Sequence, residues 1–461
     1  MDGIIKNGTI ITAADRFQAD IVIKDGKIAA VGQNLNYPGG FNIDATGLLV
    51  LPGAIDAHVH FQTPVGQAVS ADDYASGTRA AACGGVTTVF DFAVQRKGQG
   101  LLDDAKAKIA CFQPEACIDF SLHTAITDLT PAVLDEFSQS ADFGISSFKL
   151  YMVYEGLKVN DGDLAAALEK SAETGTLIAV HAENPDLIRQ RTEQLLREGK
   201  TTAWHHYESR PEFVEADAVR KVIHLAKALQ APVYIVHLAC KEGLAEVTKA
   251  RDEGLEIYAE TCPQYLRFNN EVYRKADGVN FVCSPSIKGE DSRIALWEGV
   301  ERGDIATIGS DHCPFQSFEK AWGKDDFTRI PNGCMGTENL YPYMLSEANQ
   351  GHISFNKAVE VCCTNVARIF GCLPQKGTLA PGSDADIVVY DPKKDVVISR
   401  NNMHSNVDYT IWEGTVIKGY PWLVFSRGKL VFKEGEFVGE PGWGEFVKCH
   451  AKIREVSYHE K

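Results

Sequence analysis

Two histidines at the end of an apolar segment are the first residues whose type and spacing suggest chemistry. His58 and His60 close the segment LLVLPGAIDAHVH and flank Val59. On an extended strand, residues two apart point to the same face, so both imidazoles would point the same way. Such a pair is a natural set of ligands for a borderline ion such as zinc. Taken alone, the pair is also compatible with a polar strand end that binds no metal.

Four more polar residues occupy the corresponding place in other apolar segments. These are Lys149 in GISSFKLYMVY, His181 in GTLIAVHAEN, His237 in APVYIVHLAC and Asp311 in IATIGSDHCPF. In a (β/α)8 barrel the carboxyl ends of the strands converge on one face, where the active site lies. Residues distant in sequence would meet there, and together with the first two histidines they predict a metal site.

Lys149 and Asp311 determine what this site could do. An ammonium at the end of an apolar strand is costly to bury unpaired, and a buried lysine tends to lose its proton. A neutral lysine can take up carbon dioxide as a carbamate, which would bridge two cations; a lysine paired with an acidic neighbour is the alternative. Asp311 would be a metal ligand and a general acid and base, with a helix N-cap as its structural alternative.

Some nearby histidines and one cysteine lack the same context. If Asp311 points into the barrel, His312 after it points away, and both His312 and Cys313 are expected to be structural. The residues excluded from the predicted metal set are His123, His205, His206, His312 and Cys313.

The segments that position these residues show two kinds of sequence pattern along the chain. Short alternating strands and turns occupy residues 1–52, with hairpin turns expected at Asn7-Gly8 and Asp25-Gly26. The same pattern of short alternating strands and turns occurs over 376–440, so both ends would form one antiparallel β unit. Residues 53–375 alternate apolar runs with amphipathic stretches, which predicts parallel βα units in a barrel or a doubly wound sheet.

Composition and charge exclude several classes of function. The 461 residues include 46 Lys and Arg against 62 Asp and Glu, a net charge of −16 without a basic run. Neither nucleic acid nor an anionic membrane is therefore an expected partner. No apolar stretch approaches the roughly 18 residues of a membrane span, and the start of the chain lacks a signal-peptide pattern. A cytoplasmic protein with free thiols is expected. The polar tail, 441–461, is expected to be disordered or to pack on a neighbouring subunit.

A series of motifs, in order along the chain, carries a family resemblance. They are HVHF, FKLYMVY, HAEN, IVHL, ETCPQYL, CSP, GSDHCPF, PNG and KGTLAPGSDADIVVYDP. The sequence resembles the amidohydrolase superfamily and, within it, the dihydropyrimidinase/hydantoinase family of cyclic amide hydrolases. The resemblance implies an α/β fold with a (β/α)8 TIM-like barrel over 53–375 and a β-sandwich built from 1–52 and 376–440.

The resemblance also implies a cofactor, namely two divalent metal ions per subunit, expected to be Zn²⁺. His58 and His60 would bind the first ion together with Asp311 and N6-carboxylated Lys149. The carboxylated lysine would bridge to a second ion, and the remaining ligands of that ion would be His181 and His237.

The implied reaction opens the ring of a 5,6-dihydropyrimidine or 5-substituted hydantoin to an N-carbamoyl amino acid. Metal-activated water would attack a ring carbonyl, and Asp311 would carry its proton to the leaving nitrogen. Tyr154 would stabilise the oxyanion; an ordinary strand-end tyrosine is the alternative. Ser284 and Asn332 would hold the amide edges of the ring through main-chain groups.

The expected substrate pocket departs from the family pattern at one position. Family members often carry a bulky aromatic after the proline that follows the first motif, whereas this chain has Pro64-Val65. The smaller Val65 would leave room for a ring substituent, with Tyr151 and Leu157 on the opposite wall.

Three alternatives follow from the same resemblance. Dihydroorotase-like members carry H-x-H-x-R, whose arginine grips the substrate carboxylate, and Gln62 stands at that position here. An allantoinase-like ureide hydrolase is the enzyme alternative, and Tyr154 argues against it. A non-catalytic tetrameric scaffold of the collapsin-response type is the non-enzymatic alternative, but such relatives have lost metal ligands that this chain retains. A homotetramer, or else a homodimer, is expected, with the tail at subunit contacts.

Overall fold

The computed structural model describes residues 2–452, which form a parallel barrel and a larger mixed sheet. The strands of this part of the chain, in order, are β1 Gly3–Ile11, β2 Arg16–Lys24, β3 Lys27–Gly32, β4 Phe41–Asp44, β5 Leu49–Pro52, β6 Ala54–Val59, β7 Pro64–Val65, β8 Ala68–Val69, β9 Val86–Val94, β10 Asp119–Ala125, β11 Ser147–Tyr151, β12 Leu177–His181, β13 Val233–Ile235, β14 Ile257–Thr261, β15 Thr307–Ile308, β16 Ile387–Val397, β17 Val416–Ser426, β18 Lys429–Lys433 and β19 Glu436–Phe437.

Eight of the described strands form the barrel. Their order is β15-β14-β13-β12-β11-β10-β9-β6, and each pairs in parallel with the next. The seam is closed by His312, which pairs with Val59 and accepts a 2.8 Å hydrogen bond from the His60 N–H. The predicted (β/α)8 barrel is confirmed, and its strands are buried along almost their whole length, as expected where helices cover a parallel sheet.

Helices connect the barrel strands. The described helices are α1 Tyr74–Cys83, α2 Leu101–Phe112, α3 Pro131–Phe143, α4 Asp161–Thr174, α5 Pro185–Arg197, α6 Ala203–Ser209, α7 Glu212–Leu229, α8 Lys241–Asp252, α9 Pro263–Arg267, α10 Glu290–Arg302, α11 Ser317–Lys320, α12 Thr337–Asn349, α13 Phe355–Val359 and α14 Asn365–Phe370. Local sequence sets their limits. Helix α4 begins after Asn160, which forms a capping box with Asp163, and ends at Gly175 in the left-handed conformation (φ +71°).

Both ends of the chain contribute to the second sheet, as predicted. Its order is β19-β18-β17-β16-β5-β1-β2-β3, with β4 paired to β1. Asp25-Gly26 forms the expected turn between β2 and β3, and Asp25 has φ +51°. The hairpin turn predicted at Asn7-Gly8 is wrong: these residues form a bulge inside β1, where the register with β2 shifts. The turn itself follows β1, where the Thr12 N–H donates to Asp15 O.

Strands from both ends of the chain contribute to one buried apolar cluster, which includes Ile21 and Phe425. Phe41 on β4 stacks on Phe425 of β17, with 5.4 Å between ring centroids. A buried ion cluster ties the unit to the barrel, since the Lys376 ammonium pairs with Asp386 at 2.7 Å and with Asp119 of β10. The chain is thus a barrel plus a β-rich unit from both termini; the domain limits given above stay a prediction.

Part of the C-terminal tail packs on its own barrel. The Val447 N–H donates to Phe120 O at 2.7 Å, and the Cys449 N–H donates to Gly144 O at 2.8 Å. Residues 441–452 thus follow the end of the barrel where its strands begin, which fits neither disorder nor packing only on a neighbouring subunit. Residues 453–461 of the predicted tail lie outside the described residues, and its role in subunit contacts stays a prediction. Over 2–452, no helix has the length and apolar character to cross a bilayer.

Candidate active site

Two histidines and one aspartate meet at the carboxyl end of the barrel. His58 is the fifth residue of β6 and His60 follows the strand, while Asp311 follows β15. Asp311 Oδ1 lies 3.3 Å from His58 Nε2 and 3.2 Å from His60 Nε2. These three residues offer ligand atoms that all lie within 4.8 Å of one another. Parallel strand order thus brings together residues from opposite ends of the barrel segment.

A carboxylate fixes which nitrogen of His58 faces this cluster. Glu260, on β14, accepts from His58 Nδ1 at 2.6 Å and from the His237 N–H at 3.0 Å. When Glu260 is ionised, Nδ1 carries the proton in this bond, and the Nε2 lone pair then faces Asp311 and is available to a metal ion. Burial raises the pKa of Glu260 to about 7, and the bond from the His237 N–H opposes this rise.

The other two predicted histidines lie beside the first cluster. The ring of His237 is 4.5 Å from that of His181 and 5.4 Å from that of His58, measured between centroids. His181 ends β12, and its Nε2 contacts Glu183 Oε2 at 2.9 Å, which leaves Nδ1 as the free nitrogen. Burial lowers the pKa of both histidines, so both are neutral, as metal ligands must be.

Lys149 lies buried on β11 among these rings. Its Nζ has no hydrogen-bond partner, and it lies 5.3 Å from the ring centroid of Phe92 and 5.2 Å from that of Tyr151. Burial lowers its pKa to about 8, although Asp311 and Glu260 oppose the shift. Within the described residues, no acidic side chain pairs directly with this ammonium. The alternative of a lysine paired with an acidic neighbour therefore does not apply.

Asp311 carries a negative charge at neutral pH. Burial favours the neutral acid, but His58 and His60 outweigh burial and hold the pKa of Asp311 below its usual value. Its backbone lies in the left-handed region, with φ +50°, a conformation that non-glycine residues adopt at some cost. An ionised carboxylate held in this way can bind a cation or accept a proton.

The predicted substrate residues face the same end of the barrel. Tyr154 lies on the loop after β11, with φ +74° and its ring 5.2 Å from that of His181. Burial raises the pKa of its phenol, which therefore stays protonated and able to donate. Asn332 Nδ2 donates to Ser284 Oγ at 3.0 Å, so these two loops meet. Val65 lies in the β7–β8 hairpin and packs against the buried cluster of Ala68, Cys313 and Phe315.

Three of the residues left out of the metal set have other partners. His123 is hydrogen-bonded to Ser147 Oγ and Ala57 O, and His206 to Cys283 O. His312 points away from the cluster toward Asp72, at 2.9 Å. Each of these side chains is engaged elsewhere.

Two buried carboxylates beside the cluster were not singled out from sequence. Glu260 ends the apolar run EIYAET, so the strand-end criterion that selected the histidines would also have selected it. Glu183 lies in HAEN, and its partner Arg210, at 2.7 Å, follows α6. Only the folded chain reveals the contact between Glu183 and Arg210, because nothing in the sequence spacing links these two residues.

Comparison with known proteins decides the family. The amidohydrolase family profile matches residues 49–431. The chain belongs to the amidohydrolase family. Among members of this family, it is 41% identical over 452 residues to the D-hydantoinase of Ralstonia pickettii, covering 97% of this chain and 99% of that protein. It is 40% identical over 453 residues to the D-hydantoinase of Streptomyces coelicolor, covering 96% and 97% of the two chains. The crystal structure of dihydropyrimidinase from Brevibacillus agri NCHU1002 superimposes with a TM-score of 0.96 at 38% identity, over 98% and 100% of the two chains.

The cluster in this amidohydrolase also fits a metal centre on its own features. Buried polar atoms without a partner point to a missing group, and they include Lys149 Nζ and His237 Nδ1. His58, His181 and His237 are neutral because burial lowers the pKa of each, and a buried anionic ligand is present in Asp311. Such a donor set of nitrogen and oxygen atoms suits a divalent ion.

Proposed function

We propose that this protein hydrolyses the ring amide bond of cyclic ureides and imides, namely 5,6-dihydropyrimidines and 5-substituted hydantoins, to N-carbamoyl amino acids. The observation that carries the proposal is the convergence of four histidines and Asp311 around a buried, unpartnered Lys149. The names of the relatives, D-hydantoinase and dihydropyrimidinase, support the choice of ring.

The residues that would hold two divalent ions, expected to be Zn²⁺, form two groups around Lys149. His58, His60 and Asp311 would hold one, and His181 and His237 the other, with N6-carboxylated Lys149 shared between them. When bound, the ions would supply Lewis-acid activation of a water molecule and of the ring carbonyl. Nε2 of His58, which faces Asp311, and Nδ1 of His181, which takes no part in the Glu183 contact, support these assignments.

Asp311 would carry the proton of the reaction. Its depressed pKa keeps it ionised, so it can take a proton from the attacking water. The resulting acid can give that proton to the ring nitrogen as the C–N bond breaks, which regenerates the carboxylate. Its exposed fraction, 13% of the side chain, is compatible with substrate access.

Tyr154, Ser284 and Asn332 would hold the ring. The Tyr154 hydroxyl stays protonated and would donate to the carbonyl oxygen that gains negative charge. The main-chain groups of Ser284 and Asn332 would bind the amide edges of the ring, and the hydrogen bond between their side chains keeps these loops together. Gln62 offers no cation for a ring carboxylate, which argues against dihydroorotate.

The resemblance extends the proposal to assembly and location. We propose a homotetramer in the cytoplasm, with a homodimer as the alternative, and no nucleic-acid or membrane partner. The net charge of −16 supports the last point.

A direct test is product analysis by mass spectrometry after incubation with hydantoin. The zinc-loaded protein is expected to form N-carbamoylglycine, and the protein treated with a chelator is expected to form almost none. Formation of product at the same rate in both samples would overturn the metal-dependent reaction.

A further inference from the structure

His312 lies directly after Asp311, and the structure engages every polar atom of its side chain. Nδ1 accepts hydrogen bonds from the backbone N–H groups of Gly336 at 3.1 Å and Thr337 at 3.3 Å. Nδ1 must therefore be unprotonated, and the proton lies on Nε2, which donates to Asp72 Oδ2 at 2.9 Å. The ring is 1% exposed. Its tautomer and orientation are thus fixed by three contacts.

Asp72 is itself held by four donors. Oδ1 accepts from Ser76 Oγ and from the Asn406 N–H, each at 2.8 Å. Oδ2 accepts from Ser405 Oγ as well as from His312. Each oxygen of this buried carboxylate accepts two hydrogen bonds. The carboxylate therefore cannot move without leaving donors unpaired, so its position is rigidly fixed.

The backbone of His312 connects the two sides of the candidate site. Its N–H donates to His58 O at 3.3 Å, and its carbonyl accepts from the His60 N–H at 2.8 Å. It also bridges to Cys334, two residues after Asn332. His312 therefore contacts the strand end that carries the two histidines and the loop expected to bind the ring.

Asp311 needs such support, because its backbone has φ +50°. A left-handed non-glycine residue costs about 1–2 kcal/mol and persists where its surroundings fix it. Within the described residues, the only side chains that its own carboxylate contacts are the histidines of the cluster, at 3.2–3.3 Å. The contacts that fix its backbone therefore come from its neighbours: His312 on one side, and on the other Ser310, whose N–H donates to Asp56 Oδ1 at 2.9 Å.

We propose that His312 and Asp72 are positioning residues, which hold Asp311 in this conformation so that its carboxylate is aimed at the metal ions and the substrate. Neither would contact substrate or metal. The inference rests on the role of Asp311 in the proposed function, but its geometric part can be tested without a substrate.

The test uses cobalt-loaded protein, because the visible absorption of Co²⁺ reports the arrangement of its ligands. Two variants break the Asp72 contact: His312→Asn keeps an acceptor near Gly336 and Thr337 but cannot reach Asp72, and Asp72→Asn removes the anionic acceptor. The matched control is His352→Asn, which removes a histidine–carboxylate contact of 2.6 Å to Glu347.

Both variants are expected to bind as much cobalt as the wild type and to show a shifted visible spectrum. Their kcat on hydantoin should fall about 10- to 100-fold, with KM within about threefold, because a small misplacement of a catalytic group is costly. The control should match the wild type in spectrum and kcat. If His312→Asn does not fold, Ser405→Ala, which removes one donor to Asp72, should give a smaller shift in the same direction.

Unchanged spectra and kcat in His312→Asn, Asp72→Asn and Ser405→Ala would overturn the inference. Loss of cobalt from both His312→Asn and Asp72→Asn would also overturn it, because the pair would then be needed to assemble the site. If the wild type opens no ring, the proposed function fails, whereas the cobalt spectra still decide whether the pair orients Asp311.

Discussion

Glu260 Oε1 lies 2.6 Å from Nδ1 of His58, on the opposite side of the ring from Asp311. The same oxygen accepts a hydrogen bond from the backbone N–H of His237, so one carboxylate contacts both the His58 ring and the His237 backbone. Carboxylates that bond metal-binding histidines fix the tautomer of the ring and make it a better ligand. Glu260 is therefore expected to control metal affinity without binding the metal.

Replacing Glu260 by Gln should weaken metal binding about 10- to 100-fold, because the charge behind His58 is lost while the shape is kept. Competition with a chromophoric chelator measures this affinity. The matched control is Glu215→Gln, since Glu215 is also a buried carboxyl whose pKa burial raises to about 7, but its partner is the Ala239 N–H. Equal affinities in the two variants would contradict this role of Glu260.

Metal loading should depend on pH through Lys149. Its pKa is lowered to about 8, so the ammonium loses its proton as pH rises through about 8, and only the uncharged amine can react with carbon dioxide. The uncharged fraction rises about tenfold between pH 7 and pH 9. At a fixed concentration of dissolved carbon dioxide, the rate at which metal-free protein regains activity with Zn²⁺ should rise similarly, as followed by timed assays.

Lys149→Ala is the control for this experiment and should bind little metal at any pH. Metal analysis after gel filtration measures the occupancy. Full occupancy in Lys149→Ala would rule out a carbamate bridge, and a loading rate independent of pH in the wild type would contradict the buried uncharged amine.

Tyr154→Phe should keep its metal but lose turnover. Removing one donor to a developing oxyanion costs about 100- to 1,000-fold in kcat. Steady-state kinetics and metal analysis on the same sample separate the two effects. Tyr258→Phe, whose hydroxyl contacts Glu256 and Lys452 instead, is the control. A Tyr154→Phe enzyme with normal kcat would remove Tyr154 from the reaction.

Val65→Phe should narrow the substrate pocket. The rate for 5-phenylhydantoin is expected to fall much more than the rate for dihydrouracil, because a ring substituent competes with the added aromatic side chain for space. The ratio of the two kcat/KM values measures this effect. Equal losses on both substrates would show that Val65 does not face the substituent.

Much of the fold could be predicted from sequence because the local signals agree with the global fold. Apolar runs that end in a polar residue predicted the barrel strands and the residues that meet at their ends, such as His181 and Asp311. Asn7-Gly8 was misread because the same dipeptide suits a hairpin turn and a bulge, and only the register with β2 distinguishes them.

The support around the cluster could not be predicted in the same way. The contact of Asp72 with His312 joins residues from different βα units, and neither neighbouring sequence requires it. The tail was expected to be disordered or on another subunit because its composition is polar. Its backbone hydrogen bonds to Phe120 and Gly144 need carbonyl groups that are accessible at the end of the barrel where the strands begin. Sequence patterns do not reveal this accessibility.

The central claim is tested most directly by measuring ring opening by the zinc-loaded protein on five substrates side by side: dihydrouracil, hydantoin, 5-phenylhydantoin, allantoin and dihydroorotate. Turnover of the first three, with little on the last two, is the predicted result. Turnover confined to allantoin would favour the allantoinase-like alternative. No turnover on any substrate by protein with confirmed metal would contradict the proposed reaction. No turnover by a protein that also fails to bind metal would favour the non-catalytic scaffold.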